Sequence, residues 1–141
     1  MPSQLITASS IAVLWASVPV VIGIGIHMAQ PWGDNYAYQD ASGYGRLALF
    51  LLFAIAPYIA MLLCLRLFAG ADRIAAAFAF GAALIGVAGV AAYFATAFVH
   101  PDAQGGLIFL FMPVIQLVAG VALLMICVLW LRLARTPGAG K

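Results

Sequence analysis

Charge is what this sequence has least of. Only 7% of its 141 residues are Asp, Glu, Lys or Arg, six basic and four acidic, whereas 67% are apolar. A domain dissolved in water needs about a quarter of its residues charged to keep its surface wet, so that class is excluded. The net charge of +2 is small and scattered, which excludes a nucleic-acid face built from clustered cations. A mean hydropathy of +1.15 makes lipid the expected solvent.

Further absences narrow the chemistry. No Asp, Glu or Lys falls inside the long apolar runs, so the intramembrane ionisable group used by ion-coupled transporters and small multidrug exporters is missing. Gln116 is the strongest polar side chain at mid-membrane depth. The two cysteines, Cys64 and Cys127, stand far apart, unlike the cysteine pairs of quinone-linked disulfide enzymes. Both fall in helix halves expected on the reducing side of the membrane, where a structural disulfide does not persist. They read as small buried apolar residues. No Ser–His or Cys–His nucleophile pair shares a plausible depth, and there is no glycine-rich phosphate loop. An enzyme is not expected.

What is present is four apolar runs: about Leu5–Met28, Leu47–Leu67, Ile74–Val99 and Leu107–Leu131. Each reaches the ~20 residues that cross ~30 Å of hydrocarbon as a helix. A helix satisfies its backbone polar groups internally, as lipid demands, and LALFLLFAIA lacks the alternation of a barrel strand. The expected fold is an all-α membrane protein, a four-helix transmembrane bundle forming one domain over residues 1–141. The first run has no basic flank and no A-x-A site before Gln30, so it reads as a retained helix and not a signal peptide.

Basic residues set the orientation. Arg66 and Arg73 flank the second connection, and Arg132, Arg135 and Lys141 follow the fourth helix. Arg46 lies on the other side with Asp34, Asp40 and Asp102. The positive-inside rule gives an up-down-up-down bundle with both termini cytoplasmic in a bacterial-type inner membrane.

Helix three carries small residues at helical spacing: Ala75, Ala79, Ala82, Gly86 and Gly89 on one face, and Gly81, Ala88, Ala92 and Ala95 on another. Small side chains let helices approach closely in lipid. The first face is the expected packing interface, within the bundle or toward an oligomer or larger membrane complex. Gly23 and Gly25 are expected to thin the wall of helix one near His27. Pro19, Pro57 and Pro113 interrupt three helices, with Ser17, Tyr58 and Gln116 near enough to compensate the freed carbonyls.

The two histidines end two outward-running helices, in GIGIHMAQPW and FVHPDAQGG. His27 and His100 are therefore expected in one membrane layer. Packing in chain order would set helices one and three diagonally, with both rings toward the axis. Two imidazoles on facing helices suit haem b. Imidazole with thioether from Met28 or Met112 suits a soft metal such as Cu(I), though Met28 projects about 100° away from His27. A quinone would hydrogen-bond one histidine and stack on Trp32 or Tyr36 in the outer loop Gln30–Gly45. Against these stands the plain amphipathic role of a histidine at a helix end. Likewise Trp32, Tyr36, Tyr38 and Tyr44 suit either an aromatic belt or a lid.

The expected protein is a non-enzymatic binding or accessory subunit in the lipid bilayer, acting through helix three and the aromatic outer loop. The alternatives are a redox subunit holding haem b or quinone at His27 and His100, and a passive carrier or pore for a neutral solute.

Overall fold

The computed structural model describes residues 2–30, 41–100 and 105–135, and these residues are helical almost throughout. α1 runs Pro2–Ala29, α2 Ala41–Cys64, α3 Asp72–Phe94 and α4 Ile108–Arg135. A 3-10 turn, Leu65–Phe68, extends α2, and one π turn, Ala95–Val99, extends α3. A 3-10 turn at Gly105–Leu107 leads into α4. Four helices are long and apolar enough to cross a membrane. A 28-residue helix is about 42 Å long, more than the ~30 Å of a hydrocarbon core. The first three helices start earlier than hydropathy alone suggests, while α4 starts at Ile108, one residue later. α2 begins at Ala41, which brings Tyr44 and Gly45 into the helix instead of the outer loop.

The connection between α2 and α3 is three residues, 69–71. Gly70 turns the chain in the left-handed region (φ 83°), where a side chain would clash with its own backbone. The Ala69 and Ala71 N–H groups donate to the Arg66 and Phe68 carbonyls at 3.3 and 3.0 Å. Asp72 follows in the first turn of α3, where the helix dipole favours a negative charge.

The helices do not pack in chain order. α1 lies chiefly along α3 and also along α2, while α4 packs against both α3 and α2. α2 and α3, despite their short connection, share few contacts and form a diagonal. The expected diagonal placement of helices one and three is thus corrected: they are neighbours, with Leu14 of α1 seated on Gly86 of α3. Ala79, Ala82, Gly86 and Gly89 are buried inside the chain and Ala75 is half-buried. A Cβ on Gly86 would stand 3.0 Å from Leu14 Cδ2 of α1 and 3.3 Å from Tyr58 Cε1 of α2. Gly81, on the second face, receives Leu123 of α4, whose Cδ1 would be 3.0 Å from an added Cβ. Both contacts are intramolecular.

Large apolar side chains point outward on every helix, among them Leu5, Leu49, Phe80, Val118 and Met125. A water-soluble monomer does not expose so much contiguous apolar surface. Hydrocarbon is the medium that fits this face.

Candidate functional site

Three places hold the side chains with chemistry to offer. The first is the bundle axis. Tyr58 and Gln116 are 0% and 1% exposed and bridge the diagonal. Tyr58 Oη donates to the Gly86 carbonyl at 3.1 Å. Gln116 Nε2 donates to Tyr58 Oη at 3.1 Å and to the Ile85 carbonyl at 3.2 Å. Gly86 and Gly89 make room for this cluster: a Cβ on Gly89 would overlap Gln116 Nε2 and lie 2.9 Å from Tyr58 Oη. Interhelical bonds of this kind contribute about 0.6 kcal/mol each on average within a membrane. Tyr93, stacked on Phe109 at 4.5 Å, completes the filling. Tyr93 Oη and Gln116 Oε1 are buried with no hydrogen-bond partner. The cavity beside Gln116, lined also by Pro57, Met61 and Gly120, holds about 50 Å³. That is room for one or two waters, not for a substrate.

The compensation expected at the prolines takes another form. A proline frees the carbonyl four residues before it, which here means Trp15, Phe53 and Phe109. Ser17 Oγ instead donates to the Val13 carbonyl at 2.8 Å. Tyr58 and Gln116 are engaged between helices, because a cross-helix partner is within reach and the adjacent freed carbonyl lies on the same helix. Gly25 does thin the wall of α1, where an added Cβ would be 2.5 Å from Leu51 Cδ2 and 3.2 Å from Phe109 Cε1. Gly23 is exposed and has nothing near it.

The second place is the end where α1 and α3 finish. The His27 ring stacks on Phe98 at 4.9 Å, and Phe98 leans on Phe94. His100 follows two residues later, its N–H donating to the Ala95 carbonyl at 2.8 Å. That bond closes the π turn. Thr96 Oγ1 donates to the Ala92 carbonyl at 3.0 Å, a side-chain bond of the sort that loosens a helix. Pro101 then disfavours helix at His100. Both histidines are exposed, so the expected convergence of their rings on the axis is replaced by rings on the surface of one end. Met28 and Met112 are half-buried against the core. Among the described residues no group of three His, Cys, Asp or Glu could hold a metal. Trp32, Tyr36, Tyr38, Asp34, Asp40 and Asp102 lie outside the described residues. Cys64 and Cys127 are free thiols, half-buried and buried.

The third place is a cleft that sequence reasoning missed. It opens beside the start of α1, the end of α2 and the 65–72 turn, with a volume of about 720 Å³. Ser3, Thr7, Ile11 and Trp15 line it from α1, and Leu63, Arg66 and Asp72 line it across the opening. Those four α1 residues recur every four positions, so one helical stripe passes from hydroxyl to apolar to indole. That spacing was the available signal. Arg66 and Asp72 are both exposed at this cleft, and no ion pair joins them. A second groove of about 470 Å³ runs between α1 and α3 past Ser9, Val13 and Leu84 and carries no charge.

No known protein family, no curated protein and no solved structure matches this chain.

Proposed function

We propose that this is a small polytopic protein of a bacterial-type inner membrane, up-down-up-down with both termini cytoplasmic, acting non-enzymatically as a binding or accessory subunit. The orientation is supported by Arg66, Arg73 and Arg132 bordering the membrane spans on one side. The observation that carries the binding role is the contrast between interior and surface. The axis is filled by Tyr58, Gln116 and Tyr93, whereas a cleft of about 720 Å³ stands open to the surroundings, polar at one end and apolar at the other. The small-residue face of α3 is occupied by the chain's own helices, which moves the binding surface from helix three to this cleft. Purification from native membrane in mild detergent tests the role. A stoichiometric bound partner, lipid-like or protein, is expected, and its amount falls in Ala8→Trp, which fills the cleft. A bare monomer indifferent to that substitution contradicts it.

A redox subunit holding haem b or quinone is the second reading. It is favoured by His27 lying over Phe98 beside the π turn, since π turns recur at functional sites. Both exposed rings would hold such a group at the bundle surface. The test is a Soret band after haem-supplemented expression, abolished in His27→Ala or His100→Ala; colourless protein excludes haem.

A further inference from the structure

The cleft between α1 and α2 is lined by one cation, Arg66, one anion, Asp72, and a largely apolar wall. A groove on a membrane-spanning surface is filled by lipid in the bilayer, because hydrocarbon chains are the surrounding solvent. The stripe from Ser3 to Trp15 covers about 18 Å of helix, somewhat more than one leaflet of a ~30 Å core. Its length matches a single acyl chain lying along α1, with Trp15, 56% exposed, at the deep end. The hydroxyl-bearing residues Ser3 and Thr7 lie toward the opening. Thr7 Oγ1 donates its proton to the Ser3 carbonyl at 2.9 Å, and the charges of Arg66 and Asp72 are the stronger groups for reading a headgroup.

Arg66 offers a planar fork of donors that matches a phosphate. Asp72, six residues on and across the Gly70 turn, is when ionised an acceptor with no proton to donate. Both line the same opening without pairing with each other. A cation and an anion so placed complement a zwitterion. We propose that this cleft binds one aminophospholipid, with its phosphate on Arg66, its primary amine on Asp72 and an acyl chain along Ser3–Trp15. A primary ammonium brings hydrogen-bond donors to the carboxylate, whereas a quaternary ammonium brings none and a glycerol headgroup brings no positive charge. The site therefore prefers phosphatidylethanolamine to phosphatidylcholine and phosphatidylglycerol. This assignment rests on the cleft being the binding surface.

Full-length protein is reconstituted in vesicles of equimolar phosphatidylethanolamine, phosphatidylcholine and phosphatidylglycerol with identical chains, extracted, and its retained lipids weighed by native mass spectrometry. Phosphatidylethanolamine is retained about two- to fivefold over phosphatidylcholine, the discrimination that one net hydrogen bond supplies. Asp72→Ala brings that ratio to one, Arg66→Gln lowers retention of all three lipids, and Arg73→Gln, just outside the cleft, changes neither. Equal retention of the first two lipids by the unsubstituted protein overturns the headgroup assignment, as does a preference for phosphatidylglycerol. Ala8→Trp separates the two levels of the claim. It lowers total retention, while Ser9→Phe in the uncharged groove leaves the Asp72-dependent ratio intact. Unchanged retention in Ala8→Trp overturns the cleft itself, whatever the headgroup preference.

Discussion

Gly89→Ala is a methyl added at the centre of the bundle. Its Cβ would overlap Gln116 Nε2, stand 2.6 Å from Gln116 Cδ and 2.9 Å from Tyr58 Oη. The amide must swing away and give up its bonds to Tyr58 Oη and the Ile85 carbonyl. Two interhelical bonds account for about 1–2 kcal/mol within a membrane, and an amide left buried without partners adds about 1–3 kcal/mol. Replacing glycine by alanine in a helix returns up to about 1 kcal/mol. The net expected loss is about 2–3 kcal/mol. With Gln116→Ala already present the obstructing amide is gone, so the same methyl costs less than about 1 kcal/mol, and the coupling between the two sites is about 1–3 kcal/mol. Reversible unfolding in mixed micelles, titrated with a denaturing detergent, gives all four corners of the cycle. Equal cost of Gly89→Ala in both backgrounds would refute the claim that Gln116 fills the space glycine leaves.

Other substitutions follow from the same packing. Tyr58→Phe removes the group joining α2 to both α3 and α4 and should cost about 1 kcal/mol in that assay; no loss would mean the bonds contribute nothing. Gly25→Ala pushes a methyl to 2.5 Å from Leu51 Cδ2 and should destabilise by about 1 kcal/mol, whereas Gly23→Ala, in open space, should be neutral or slightly stabilising. The reverse order would show that α1 is rotated from the position described. Iodoacetamide in mild detergent should modify half-buried Cys64 faster than buried Cys127, and equal rates would contradict the burial of the α4 thiol.

The spans were legible because scarcity of charge leaves four runs that only lipid can surround. Their ends were not, since α2 starts among Ser42, Gly43 and Tyr44, residues that read as loop yet sit in helix. Small residues marked α3 as the packing centre, but spacing cannot tell which neighbour they admit. The pairing of α1 with α3 is set by the whole bundle. Gln116 stands out in the sequence as the lone mid-membrane amide, whereas its partner Tyr58 lies 58 positions away, a contact that sequence distance hides behind the adjacent proline. The histidines were legible as a pair bound for one end, and their exposure depended on that helix order. The cleft is hidden in the sequence because Arg66 marks orientation equally well, although Ser3, Thr7, Ile11 and Trp15 trace the wall.

The measurement closest to the central claim is side-specific cysteine labelling in intact cells and inverted vesicles, in a background with Cys64→Ser and Cys127→Ser. The account predicts that His27→Cys and His100→Cys react with an impermeant maleimide from the outer side only, and Ala69→Cys from the inner side only. Positions 27 and 100 reacting from opposite sides would contradict it.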